Sequence, residues 1–185
     1  MTAPLAVFLR GINVGGIQIK MDALKSAFAE MGFSDVQTVL ASGNVVANPP
    51  AGVELPELKS SIERDLSDRF QYAAHVLLRT PEAITTVLSA ARAIPVPEDI
   101  HLYVLLCDDP NLPAELQSLF DAMPHLAEEQ FRPVGGEALW AVPKGSTLKS
   151  NFGDKVLGSR KYKARLTSRN VQTIEKVHTL LRTHT

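Results

Sequence analysis

Arg10-Gly11-Ile12-Asn13-Val14-Gly15-Gly16 is the least ordinary stretch of this 185-residue chain, with three glycines and an asparagine in seven residues. Glycine takes positive φ at little steric cost, so such a loop can turn several backbone N–H groups towards one point. An apolar run, Leu5-Ala6-Val7-Phe8-Leu9, precedes the loop, and a helical pattern follows it. The N-terminus of that helix adds partial positive charge. Arg10 and Lys20 bracket the loop with full positive charges. The chemistry on offer is a nest for a small anion or a phosphate, built from Arg10, Gly11, Asn13, Gly15, Gly16 and Lys20. A tight turn that demands small residues accounts for the same glycines, and the residues alone leave both readings open.

Two further clusters have usable chemistry. Ser42-Gly43-Asn44 has the composition of a hairpin tip. Thr167-Ser168-Arg169-Asn170 stands where the last helical pattern begins, and Thr or Ser there would cap the helix. Arg169 is out of place in such a first turn, because a cation opposes the helix dipole. Either it meets an anion or a buried carboxylate, or it is a surface residue with a small penalty. Thr167, Arg169 and Asn170 therefore join Ser42, Gly43 and Asn44 as candidate ligand contacts.

Charge is unevenly spread. Residues 1–143 hold 9 Lys and Arg against 18 Asp and Glu, whereas residues 144–185 hold 10 against 2. The basic segment 144–169 could attract phosphate, nucleic acid or an acidic surface, or could be a solvated face.

Several chemistries are excluded. Gly11 and Gly16 have the G-x-x-x-x-G spacing, but Ile17 and Gln18 stand where a P-loop needs its Lys and Ser or Thr. No G-x-G-x-x-G follows the first strand, and there is no G-x-S-x-G elbow. The histidines form no H-x-x-x-H or H-E-x-x-H pair, so no metal or other cofactor is expected. The single cysteine, Cys107, excludes an intramolecular disulfide and a multi-thiolate zinc site. It ends an apolar strand, where a small core residue is the usual role. No apolar run is long enough to span a membrane. Met1-Thr2-Ala3-Pro4 lacks a basic segment followed by an apolar one, so a cytoplasmic location is expected.

The elements that must position these residues follow from periodicity. Leu5 to Arg10 is a buried strand stopped by Gly11. Met21, Leu24, Phe28 and Met31 mark an amphipathic helix, with Gly32 just past its end and Phe33 placed to close it. Val36 to Ala41 and Asn44 to Ala47 flank Ser42-Gly43 as a tight hairpin. A second helix starts near Pro56, with Leu55, Leu58, Ile62, Leu66 and Phe70 on its apolar face, and His75 to Arg79 is a strand. That order, β-α-β-β-α-β, is the ferredoxin-like unit. It brings the loop after the first strand and the Ser42–Asn44 tip to the same end of one sheet. The second half has a helix from Pro81, a strand His101 to Cys107 and a helix from Pro113. A hairpin around Gly135-Gly136 and a final helix from about Ser168 to Leu181 follow. It is β-α-β-β-α, a degenerate second copy. Trp140, on the second hairpin, is expected in the core.

Leu9-Arg10-Gly11-Ile12-Asn13-Val14-Gly15-Gly16, Lys20-Met21 and Ser42-Gly43-Asn44-Val45-Val46 resemble a family of uncharacterised bacterial proteins, domain of unknown function 1697. Pro143-Lys144-Gly145 with Thr167-x-Arg169-Asn170-x-x-Thr173 resembles the tail of that family. The resemblance implies an α+β fold with ferredoxin-like units in tandem, and it carries no established activity over to this chain. Val171 and Gln172 depart from it, standing where the family often has an aromatic and an asparagine.

The expectation is an α+β protein of tandem ferredoxin-like units, the second degenerate, packed as one compact protein. Residues 1–80 form the first subdomain and 81–185 the second, which carries the basic segment 144–169 and the final helix. Its expected function is to bind an anionic, phosphate-bearing small molecule or nucleic acid. The alternatives are a metal-free enzyme acting on a phosphorylated small molecule, and a homodimeric scaffold without ligand. The aromatic content, 6%, and the lack of an aromatic strand pattern rank the small ligand above sequence-specific RNA.

Overall fold

The computed structural model describes residues 3–12, 17–162 and 164–184. Among them the chain is α+β, with two four-stranded antiparallel sheets and six helices. It divides into two compact units, Met1–Ile84 with Glu175–Thr185, and Thr85–Ile174. No helix among the described residues is long and apolar enough to cross a membrane.

The first unit runs β1 (Leu5–Leu9), α1 (Met21–Glu30), β2 (Ser34–Val39), β3 (Asn44–Asn48), α2 (Leu55–Phe70), β4 (Val76–Arg79), with sheet order β2-β3-β1-β4. β1 is central: Val7 lies opposite Val45 on β3 and Leu78 on β4. All five residues of β1 are buried, which is why its sequence shows no polar alternation. Leu5, Val7 and Leu9 share a core with Leu24 and Phe28 of α1 and with Ile62 and Leu66 of α2.

Helix α1 ends as its sequence requires. The Phe33 N–H donates to the Phe28 carbonyl at 3.1 Å and the Gly32 N–H to that of Ala29 at 3.0 Å, the paired bonds of a Schellman cap. The Phe33 ring meets Phe28 edge-on, 5.1 Å between centroids, so cap and core are one structure. Truncating the fully buried Phe28 to alanine would cost about 3–5 kcal/mol.

Two details differ from expectation. Val39 pairs with Asn44, so the β2–β3 connection is four residues long, not a tight two-residue turn. Leu40 and Gly43, at its two ends, both take positive φ, +57° and +72°. Leu55, expected on the apolar face of α2, is exposed because it lies at the helix start, beyond the turn that packs.

Helix α3 (Pro81–Arg92) follows β4. The second unit runs β5 (Ile100–Cys107), α4 (Leu112–Asp121), β6 (Gln130–Val134), β7 (Glu137–Pro143), α5 (Asn151–Leu157), β8 (Leu166–Asn170), and α6 (Val171–Thr183) follows it. Its sheet order is β6-β7-β5-β8. Gly135-Gly136 closes the β6–β7 hairpin as expected, with Val134 opposite Glu137. Trp140 is fully buried, 5.6 Å from Phe152 and 5.8 Å from Tyr103 between ring centroids. Its indole N–H donates to Glu129 Oε1 at 2.9 Å.

Here the sequence reading needs two corrections. Residues 166–170 form a strand, not the start of the final helix, so the second copy has its fourth strand. An unforeseen helix, α5, precedes it. Ser150 caps that helix by accepting the Gly153 N–H at 2.8 Å.

Candidate functional site

In the first unit, β1 ends at Leu9 and the chain leaves the sheet at Arg10, still anchored by the Arg10 N–H donating to the His75 carbonyl at 3.0 Å. The Leu9 N–H donates to the Gly43 carbonyl at 2.7 Å, so the loop start and the hairpin tip lie side by side. Gly11 takes φ +72° and is exposed. Ile12 turns back into the core, and here Gly43 is indispensable. A Cβ on Gly43 would lie 2.7 Å from Ile12 Cδ1 and 2.9 Å from Leu9 Cβ. The glycine of the tip is a packing requirement of the loop.

Asn44 is likewise committed to structure. It is buried, and its Nδ2 donates to the Val39 carbonyl at 2.8 Å and to Ser42 Oγ at 2.9 Å, holding the two ends of the tip together. Ser42 is exposed and receives one of those bonds. Lys20 is exposed at the position preceding α1, where its carbonyl accepts the Leu24 N–H. Asn13, Gly15 and Gly16 lie outside the described residues.

Among the described residues of this cluster, Arg10 and Lys20 have charged side chains with no described partner, and Arg10 is the less exposed of the two. It is half-buried, and the burial pushes its guanidinium pKa down from the usual range. No carboxylate among the described residues pairs with it, although a desolvated guanidinium ordinarily demands one. The sequence reading missed a neighbour, His75, whose carbonyl holds Arg10 and whose Nδ1 lies 4.0 Å from Glu63 Oε1. Glu63 also accepts the Val76 N–H at 3.0 Å. No spacing motif links these residues; β1–β4 pairing brings His75 to Arg10, and α2 brings Glu63 to the start of β4.

In the second unit, Thr167, Arg169 and Asn170 belong to β8, opposite Leu106, Val104 and Tyr103 of β5. Contrary to expectation, Arg169 is not in the first turn of a helix, and no helix dipole opposes its charge. Arg169 is buried, and its Nη1 donates to Thr167 Oγ1 at 2.7 Å and to the Ser168 carbonyl at 2.9 Å. Burial brings its pKa down to about 10. Asn170, not Thr167 or Ser168, caps α6: its Oδ1 accepts the Gln172 N–H at 2.9 Å.

The basic segment is sorted by its partners. Glu115 receives Lys161 Nζ at 2.6 Å, the Tyr162 hydroxyl at 2.9 Å and Arg165 Nη1 at 3.0 Å. These donors, Lys161 first, hold its carboxyl at about 2. Arg165 also lies 3.6 Å from Asp109. Lys163 lies outside the described residues. Lys144, Lys149, Lys155 and Arg160 are exposed.

Cys107 is buried at the end of β5; its N–H donates to Glu137 Oε2 at 2.7 Å and its thiol to the Leu105 carbonyl at 3.5 Å. Among the described residues no cluster of His, Cys, Asp or Glu could hold a metal ion.

No curated protein matches the chain. Among solved structures it is similar to the conserved bacterial protein SP0830 from Streptococcus pneumoniae, with TM-score 0.77 and 18% identity over 98% of this chain and 99% of that one. At that identity the likeness shows a shared fold. The family model described as protein of unknown function (DUF1697) matches residues 1–140, and the chain belongs to that family.

Proposed function

We propose that each unit is a ferredoxin-like fold and that the first binds a small phosphate-bearing anion at Arg10, in the cytoplasm. Two features support the fold reading: the β-α-β-β-α-β order and the sheet orders β2-β3-β1-β4 and β6-β7-β5-β8, the same arrangement twice. The observation that carries the ligand reading is the half-buried Arg10 guanidinium without a carboxylate partner among the described residues. It stands beside Gly11 at φ +72°, where a ligand can approach the backbone closely. Lys20 adds a second cation. Gly43 and Asn44 support the site from below rather than touching the ligand.

The test is a thermal melt with inorganic phosphate and with a nucleoside monophosphate, at ionic strength matched by sodium chloride. Ligand at 100 times its Kd adds about 2.7 kcal/mol of stability. The melting temperature should rise with either ligand in the wild type and not in Arg10→Gln. A rise that chloride reproduces, or one that survives Arg10→Gln, would refute the reading.

A second reading, a metal-free enzyme on a phosphorylated small molecule, draws on His75 and Glu63. An imidazole with a carboxylate at 4.0 Å, one strand from Arg10, has the makings of a general base. His75→Asn separates the two readings: it should spare binding and abolish any turnover of a phosphate ester.

A further inference from the structure

We propose that the second unit carries a separate site, at the start of β5, for a small amphipathic carboxylate. A cleft of about 480 Å³ opens there. Strand pairing creates it. Ile100 lies opposite Pro143 on β7, and Tyr103 lies opposite Asn170 on β8, so the start of β5 and the ends of β7 and β8 share one edge of the sheet. The Lys144 N–H, donating to the Asp99 carbonyl at 2.9 Å, fixes the chain as it leaves β7. Lys144 and Asn170, from two motifs that stand far apart in sequence, both line this cleft.

The lining defines the ligand. Lys144 is exposed, and no carboxylate among the described residues pairs with its ammonium group. Asn170 has its Oδ1 engaged by the Gln172 N–H at 2.9 Å, which leaves the amide NH₂ as the group to offer a ligand. Both are donors, and together they suit a carboxylate. Val96, exposed, and Val171, partly exposed, form the accessible apolar part of the same lining and suit a hydrocarbon body. Glu98 lines the cleft as well. One carboxylate against one ammonium favours a singly charged ligand over a phosphate dianion. His101 is held by a 3.2 Å contact between its Nδ1 and the Tyr103 hydroxyl, so it walls the cleft in a fixed position.

The experiment is a ¹H–¹⁵N NMR titration of the whole chain with butyrate, hexanoate and octanoate, and separately with inorganic phosphate, at constant ionic strength. The Asn170 side-chain amide and the backbone amides of Lys144 and Gln172 should shift with each carboxylate. Affinity should tighten about fourfold per added methylene, as expected when hydrocarbon leaves water. Lys144→Gln should weaken binding by about tenfold or more while leaving the emission of Trp140 unchanged. Phosphate shifting these amides as strongly as hexanoate, an affinity indifferent to chain length, or an unaffected Lys144→Gln variant would each overturn the proposal. Arg10→Gln should leave this titration untouched, so failure of the phosphate site in the first unit and failure of this one are told apart.

Discussion

Replacing Arg169 tests the strand β8 and the role of its buried cation together. Arg169 is 8% exposed and its Nη1 donates to Thr167 Oγ1 at 2.7 Å and to the Ser168 carbonyl at 2.9 Å. Hydrogen bonds from a charged donor contribute about 1.5–3 kcal/mol each. Arg169→Met keeps the apolar stem and loses the guanidinium's hydrogen bonds, but it also removes the desolvation cost of a buried charge. The two effects partly offset, leaving a loss of about 1–3 kcal/mol. Arg169→Glu is worse: it sets a carboxylate among two oxygens that accepted hydrogen bonds from the arginine. An uncompensated buried charge costs about 3–5 kcal/mol. At about 2–4 °C per kcal/mol for a chain of this size, the Glu variant should melt roughly 6–20 °C below wild type. The single tryptophan is the reporter, since Trp140 lies opposite Tyr103 of β5, the strand that pairs with β8. Were Arg169 in the first turn of a helix, the same Glu would be neutral or stabilising by up to about 1 kcal/mol. A Glu variant that melts at or above wild type would refute the strand assignment and the energetics built on it.

Gly43→Ala should destabilise the first unit by about 2–4 kcal/mol, from positive φ and from contact with Ile12 and Leu9. Adding Ile12→Ala should recover part of that loss in denaturant melts, because Ile12 supplies two of the three closest atoms. Glu115, with its carboxyl held at about 2 against an ordinary 4.5, stabilises the fold above about pH 4.5, and that contribution is lost as pH falls towards 2. Melting temperature should drop over that window in wild type and less so in Glu115→Gln, with high salt shrinking the difference because the cluster is exposed. If Lys144, Lys149, Lys155 and Arg160 contact duplex DNA, log K against log salt should have a slope of about −3.6, and no gel retardation at low salt would remove nucleic acid from the partners.

Local chemistry made part of the fold legible. Gly32-Phe33 after an i, i+3, i+7 apolar pattern specified a Schellman cap, and the cap is there. Gly135-Gly136 between two apolar runs specified a hairpin, which forms in that register. β8 was illegible because Leu166-Thr167-Ser168-Arg169-Asn170 has one apolar residue and a cation at a buried position. Its strand conformation comes from pairing with β5, a tertiary effect that overrides weak propensity. Helix α5 was missed because seven residues with a central glycine give too short a pattern to register as periodic. At the site, topology correctly brought Arg10 to the Ser42–Asn44 tip. The packing of Gly43 against Ile12 and the hydrogen bonds of Asn44 were not legible, because a side chain's partner is decided by distances that sequence does not contain.

The two units show why a repeated topology need not repeat a site. In the first, the chain leaving the first strand carries Arg10 and Gly11; at the equivalent place in the second, after β5, it carries Asp108 and Asp109. The charge is reversed. In the second unit that end is occupied by internal pairing, with the Asp108 N–H donating to the Arg165 carbonyl at 2.8 Å and Asp109 close to the Arg165 side chain. An anion would meet acid there instead of the Arg10 guanidinium. Lys144 and the Asn170 amide lie at the opposite end of its sheet, where β5 begins rather than ends. The candidate donors of the two units thus stand at opposite ends of two sheets that share one strand order.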